Sequence, residues 1–301
     1  MTSASTTLLA DDYVAPFQIE GQSVRGRIVR LGAAIDEVLT RHDYPQPVAN
    51  LLGEACVLAA LVGASLKADG RLIVQAQGDG PVKYVVADYD TDGALRGYCR
   101  YDADRIETLA EHDAHPGARA LIGEGAFTMT LDPGQGGQMY QGITPVEGDT
   151  LAACAEAYFD KSEQLPTRIR LAVGAADEGA GPAWRAGGLL IQNIAADEAR
   201  GATVDDWEKA EALFSTTAED ELIDPTVSSQ RLLWRLFHED GVRLFASRPL
   251  RAFCRCSEER IIAMLRAFDA DERAGMVEAD GCIRVTCEYC SREYRFQPER
   301  V

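Results

Sequence analysis

Two short cysteine elbows near the carboxyl end, Cys254-Arg255-Cys256 and Cys287-Glu288-Tyr289-Cys290, constrain this chain more than any other feature. Thiolate is a donor that zinc favours, and two close pairs arriving from separate segments fill a tetrahedral shell without histidine. The second pair has the spacing of a zinc knuckle. The first is tighter than an ordinary zinc ribbon uses. The segment 248–301 holds 54 residues, too few to be held together by apolar burial alone. A structural zinc contributes on the order of 10–16 kcal/mol in small zinc domains, so a metal here would decide whether the segment is folded.

Between the elbows, 257–268 sets Ile261, Met264, Leu265 and Phe268 on one helical face, and Ile283 and Val285 read as a strand entering the second elbow. Tyr294 and Phe296 leave that elbow and complete a minimal core. Period two puts Cys282 with Arg284 and Thr286, opposite Ile283, Val285 and Cys287, so Cys282 is expected to point away from the metal as a spectator thiol. Four thiolates on one Zn2+ leave a net charge of about −2. Arg255, Arg292 and Arg295 could compensate it, or could be solvated surface arginines. Cys287 and Cys290 can close a disulfide with little strain, whereas Cys254 and Cys256 make a tighter, more easily reduced ring. Oxidation is therefore expected to begin at the distal pair and remove two zinc ligands. Spacing alone leaves two readings open: a redox-inert zinc staple, and a zinc site that oxidation destroys.

The net charge is −18, from 30 basic and 48 acidic residues. The segment 248–301 carries ten of each, so the whole excess lies on 1–247. A nucleic-acid reader would show a basic face, and this distribution is the reverse. Such acidity reads either as simple solubility or as help in keeping partners soluble. Residues 1–10 lack a basic n-region and a cleavable apolar core, and no uninterrupted apolar run approaches the roughly 18 residues of a membrane span. These features lead us to expect a cytoplasmic protein without a membrane partner. Eight cysteines in that compartment point to metal or redox chemistry rather than a disulfide framework.

Residues 1–196 read as a mixed α+β domain with an antiparallel sheet and packed helices. A buried helix is expected over 47–68, from Leu51, Leu52, Ala55, Leu58, Ala59 and Val62. The period then switches to two at Leu72, Val74 and Ala76, at Val82, Tyr84 and Val86, and over 95–101, with Gly/Asp turns between. One more strand is expected at Phe127, Met129 and Leu131. Asp149 is the expected N-cap of a helix bearing Leu151, Cys154, Ala155 and Tyr158, stopped by Pro166. Strands follow at 167–173 and 188–194. Residues 197–247 read as a helical linker, with Val204, Trp207, Ala210, Leu213 and Phe214 on one helix and Leu232, Leu233, Leu236 and Phe237 on another. Residues 248–301 form the small zinc-binding module.

Phe253-Cys254-Arg255-Cys256-Ser257, then Val285-Thr286-Cys287-Glu288-Tyr289-Cys290 and Tyr294-Arg295-Phe296, closely resemble the redox-switch domain of the 33 kDa chaperonin family, redox-regulated heat-shock chaperones of bacteria. Upstream, Tyr140-Gln141-Gly142-Ile143, Glu147-Gly148-Asp149-Thr150 and Ser162-Glu163-Gln164-Leu165-Pro166-Thr167 resemble the family's N-terminal domain, as does Ala186-Gly187-Gly188. Arg235-Leu236-Phe237-His238 and Val242-Arg243-Leu244-Phe245 resemble its connector. The resemblance covers essentially the whole chain. It implies an ATP-independent holdase rather than an enzyme, inactive while reduced and carrying one Zn2+ per monomer on Cys254, Cys256, Cys287 and Cys290. On oxidation it implies zinc release, Cys254–Cys256 and Cys287–Cys290 disulfides, loss of structure in module and connector, homodimerisation, and binding of unfolding client proteins. Cys282 is an extra thiol in this reading, and Cys56, Cys99 and Cys154 have no part in the switch. The client-binding surface stays unassigned. Unfolding of the connector would bare Trp207, Phe214, Leu233 and Phe237, a surface suited to clients with no shared sequence because apolar burial is non-directional.

Other features carry less. Gly134-Gln135-Gly136-Gly137 lacks the following Gly-Lys-Ser/Thr of a phosphate loop. His112 and His115 beside Asp113 read as an exposed turn. The alternative function is a thiol–disulfide oxidoreductase using Cys287 and Cys290, although such pairs sit at a helix N-terminus in a βαβ setting. A zinc-ribbon nucleic-acid binder is disfavoured by charge.

Overall fold

The computed structural model describes residues 11–134, 137–177, 181–194 and 204–301. They divide into two compact units, one ending at Ala252 and the other spanning Phe253–Val301. The fold is α+β.

The first unit opens with the antiparallel pair β1 (Tyr13–Ile19) and β2 (Val24–Leu31), followed by α1 (Ala33–Thr40) and α2 (Gln46–Gly63). The expected meander is β3 (Arg71–Gly78), β4 (Val82–Asp90) and β5 (Ala94–Tyr101), joined by glycine turns. One of these turns requires its glycine twice over. Gly93 has φ +88°, and a Cβ there would lie 2.2 Å from the Pro249 carbonyl oxygen. Then come α3 (Ala103–His112), α4 (Ala118–Ile122), β6 (Gly125–Asp132), β7 (Tyr140–Pro145) and α5 (Leu151–Tyr158). The long antiparallel pair β8 (Thr167–Asp177) and β9 (Pro182–Asn193) follows. Three helices come next, α6 (Val204–Ser215), α7 (Glu219–Ile223) and α8 (Ser229–Phe237), and the unit ends in short strands β10 (Val242–Leu244), β11 (Arg248–Pro249) and β12 (Arg251–Ala252).

Two sheets result, in strand orders β10-β1-β2-β9-β8, with β11 also on β1, and β12-β5-β4-β3-β6-β7. Helix α2 lies between them, touching β2, β8 and β9 on one side and β3, β4 and β5 on the other. Its faces toward the two sheets are apolar because both neighbours are core, while Gln46, Asn50 and Glu54, four apart, form a partly exposed polar stripe. By length and composition it could cross a membrane, but 72% of it is buried inside this fold.

The first sheet is buried on both faces. Val14, Val29, Leu31 and Leu190 face the α2 core, while Ala15, Phe17, Ile28 and Ile191 form a second core with Trp207, Phe214, Leu222, Leu233 and Phe237. Helices α6 to α8 thus form an outer layer on the far face of this sheet. Buried arginines fasten it. Arg30 donates to the carbonyls of Glu221, at 3.0 Å, and Asp224, and Arg185 donates to that of Ile223 at 2.7 Å. Both guanidiniums lie against Asp11. The carboxyl end of α7, where a helix leaves its carbonyls unpaired and partially negative, is capped by two cations.

One helix start differs from expectation. The N-cap of α5 is Thr150, not Asp149: the Thr150 hydroxyl accepts from the Ala153 N–H at 3.0 Å, while the Asp149 carbonyl accepts from Ala118 at 2.7 Å. The helix then widens into a π turn, Phe159–Glu163, and stops at Gln164 in a left-handed conformation before Pro166 is reached.

The second unit holds α9 (Glu258–Leu265), α10 (Ala270–Gly275), and the hairpin β13 (Ile283–Thr286) and β14 (Glu293–Phe296). Ser257 caps α9 and an Asp269/Glu272 capping box starts α10. Its buried apolar side chains are Ile261, Leu265, Ile283, Tyr294 and Phe296. That is a small core for an independent unit.

Candidate metal centre

The two elbows meet within the second unit. Cys254 and Cys256 occupy the extended segment just before the α9 cap, and Cys287 and Cys290 occupy the turn of the β13–β14 hairpin. Within that turn Cys287 N–H donates to the Arg292 carbonyl at 3.0 Å, and Ser291 N–H donates to the Cys287 carbonyl at 2.8 Å. Ser291 sits at φ +54°, which reverses the chain tightly enough to turn both sulfurs inward.

All four Sγ atoms lie within 4.8 Å of one another, and all four residues are half-buried. Cys254 and Cys287 are 3.7 Å apart, and Cys256 and Cys290 are 3.3 Å apart. A zinc ion bonded at about 2.3 Å to four tetrahedral sulfurs separates them by roughly 3.8 Å, so these sulfurs need only small shifts to hold one. Backbone N–H groups of Tyr289 and Cys290 are directed at the Cys287 sulfur, and that of Arg292 at the Cys290 sulfur. Donors aimed at sulfur stabilise thiolate, the form that binds metal. Among the described residues this is the one His/Cys/Asp/Glu group arranged to hold an ion.

The sulfurs differ in proton affinity. Burial opposes ionisation of Cys256, but hydrogen bonds from Tyr294 and the neighbouring thiols outweigh it and bring this thiol to about 7. Cys290 is pushed up to about 12, by burial first and then by its shared contacts with the other thiols.

Of the candidate arginines, Arg292 is held mainly by the Tyr294 hydroxyl and after that by the charges of Cys256 and Cys290. Arg295 is engaged by Glu293 at 2.7 Å and Asp280 at 3.9 Å. Cys282 stands outside the cluster and accepts from Gln297 Nε2 at 3.4 Å. Cys56, Cys99 and Cys154 are buried in the first unit, where burial raises each thiol's pKa and leaves it inert. The His112 ring contacts the Thr108 carbonyl at 2.9 Å, and His115 is not part of any metal-holding group among the described residues. Gln135 and Gly136 of the glycine-rich loop lie outside the described residues.

Spacing did not reveal the role of Tyr294. It reads as a core residue, and it is one, stacked on Phe296 with ring centroids 6.3 Å apart. Its hydroxyl also donates to the Cys256 sulfur at 3.2 Å. The hairpin register, which pairs Val285 with Tyr294, sets this contact, and local sequence carries no signal for it.

A family model described as Hsp33 protein matches residues 12–297. The chain is 66% identical over 295 residues to a 33 kDa chaperonin of Caulobacter vibrioides, covering 98% of each chain. It is 36% identical over 285 residues to a 33 kDa chaperonin of Escherichia coli, covering 95% of this chain and 92% of the relative. The crystal structure of a Thermotoga maritima 33 kDa chaperonin superposes with a TM-score of 0.78 over 96% of each chain, and at 23% identity this likeness speaks for the fold.

Proposed function

The chain belongs to the Hsp33 family, chaperones rather than enzymes, and from that premise we propose that it is a redox-regulated, ATP-independent holdase whose switch is the four-cysteine cluster. The observation that carries this reading is the meeting of Cys254, Cys256, Cys287 and Cys290 within 4.8 Å in a unit with so small a core. Those four residues are the proposed ligands of one Zn2+ per reduced monomer. When bound, the ion supplies the cross-links that the apolar core is too small to replace.

Oxidation converts donor sulfurs into disulfides. A thiolate attacks peroxide and becomes a sulfenic acid, and a second thiolate displaces its oxygen as water. Each pair loses two electrons, one peroxide is reduced to two waters, and the metal loses its ligands. The proposed products are Cys254–Cys256 and Cys287–Cys290. In the folded cluster the cross-pairs are also within reach, Cys254 lying 3.7 Å from Cys287 and Cys256 3.3 Å from Cys290. Short loops close at least entropic cost once the fold has loosened, so unfolding during oxidation favours local pairing.

In this reading 1–196 is the chaperone core, 197–247 the linker and 248–301 the redox switch. Loss of the switch releases the linker. Trp207, Phe214, Leu233 and Phe237 then come away from Phe17, Ile19, Ile28, Leu189 and Ile191, baring apolar surface on both sides. Unfolding proteins are the partners, a homodimer is the active form, the compartment is the cytoplasm, and neither nucleic acid nor membrane takes part. The test uses reduced, zinc-loaded protein treated with peroxide and mild heat. It should lose its zinc and suppress light scattering by an unfolding client, and unchanged scattering would refute the chaperone reading.

A further inference from the structure

We propose that the Tyr89 hydroxyl, Arg25, Arg27 and Arg248 form a binding site for a phosphate-type oxyanion at the carboxyl end of α2, within the first unit. The site is separate from the cysteine cluster and does not depend on the switch.

Sheet register assembles it. Arg25 and Arg27 stand two apart on β2 and share a face with Val29. Val29 lies opposite Val14, and Val14 lies opposite Arg248 of β11, which places all three arginines on the α2 side of the first sheet. Arg27 is buried, and its Nη1 donates to the Leu61 carbonyl at 3.2 Å, near the end of α2. Arg25 and Arg248 are exposed, and none of the three forms an ion pair among the described residues. Tyr89 reaches the same place from β4 of the second sheet. Its ring lies against Gly63, the last residue of α2, where a Cβ would fall 2.3 Å from ring atom Cδ1. The side chain is fully buried, and its hydroxyl has no hydrogen-bond partner among the described residues.

What gathers here is a set of donors without an acceptor. A guanidinium carries five N–H groups and accepts nothing. Even with Arg248 turned toward the phenolic oxygen, the Tyr89 O–H proton has no group to receive it. A buried donor left in that state costs stability. The arginines also repel one another: burial first, and then the charges of Arg25 and Arg248, lower Arg27 to about 10. Asp92, a carboxylate whose charge reaches Tyr89, is already held by Arg251 at 2.7 Å and by the Ala94 N–H at 3.0 Å. An anion with several oxygens satisfies every one of these groups at once. Three cations suit a phosphate dianion better than a single carboxylate, and guanidinium forks bind phosphate oxygens in pairs. Arg248, exposed and long, forms the outer wall through which the anion enters.

The test uses reduced, zinc-loaded, full-length protein. Inorganic phosphate is titrated by calorimetry at constant ionic strength, and urea midpoints are measured with and without it. One phosphate per chain should bind and raise the midpoint. Arg248→Gln should weaken binding by about tenfold or more. Tyr89→Phe should weaken it by about tenfold, yet leave the midpoint in phosphate-free chloride buffer unchanged or higher, because it removes a donor that has no acceptor. A lowered Tyr89→Phe midpoint in that buffer would mean that water already satisfies the hydroxyl, and overturns the site. Phosphate binding left intact by both Arg25→Gln and Arg248→Gln overturns it too, as does binding of an acidic peptide in place of phosphate, or of neither. Inorganic tripolyphosphate identifies the source: an affinity equal to that of phosphate assigns a single phosphoryl group, a much higher one assigns a phosphate chain reaching Arg25, and either sustains the site.

Discussion

The Tyr294 hydroxyl donates to the Cys256 sulfur at 3.2 Å and so ties the β13–β14 hairpin to the elbow before α9. A hydrogen bond to a ligating sulfur orients it and lowers its basicity. Tyr294→Phe keeps the ring packed on Phe296 and removes the hydroxyl, which donates to Cys256 and accepts from Arg292. Chelator competition should show zinc held about three- to tenfold more weakly, with stoichiometry unchanged.

Cys282 makes its contact with Gln297, away from the other four thiols. Cys282→Ser should leave one zinc per chain, and Cys287→Ser should abolish tight binding. Atomic absorption on the purified variants decides this, and a Cys282→Ser protein without metal would show that the ligand set is wrong.

Disulfide pairing reports whether unfolding accompanies oxidation. Peptide mapping after peroxide with mild heat should give Cys254–Cys256 and Cys287–Cys290. Peroxide in the cold, with the fold intact, should raise the share of the cross-pairs that the fold holds in contact, Cys254–Cys287 and Cys256–Cys290. Cross-pairs under both conditions would mean that the module stays folded while it is oxidised.

Arg185 is buried between Asp11 and the Ile223 carbonyl. Arg185→Met leaves a half-buried carboxylate and a helix-terminal carbonyl without that partner, at a cost of about 2–4 kcal/mol. The expected result is a lower urea midpoint and faster proteolysis at α7 and α8 while zinc stays bound. Proteolysis at the wild-type rate would show that the arginines do not fasten this layer.

Several elements that were legible in the sequence bury a single face. The meander β3 to β5 alternates and is punctuated by glycine turns, and α8 carries Leu232, Leu233, Leu236 and Phe237 behind the Ser228 cap. Strands β1 and β2 were missed; the sheet containing them is buried on both sides, which weakens alternation, although β8 and β9 of the same sheet were legible. Arg27 and Arg30 further disguise β2, since buried arginines resemble surface residues until their carbonyl partners are placed. Helix α7 is too short to show a period. At the cluster, spacing picked out the four thiols and set Cys282 apart, but the Tyr294 contact depends on hairpin register.

The central claim is that zinc on four sulfurs keeps apolar surface hidden, and a single oxidation time course tests it most directly. Zinc release to a chromophoric chelator, free thiols and client light scattering are followed together in peroxide at mild heat. The account expects one zinc and four thiols to be lost in step, with suppression of aggregation rising as they fall. Complete loss of zinc and of those thiols with client aggregation unaltered would contradict it.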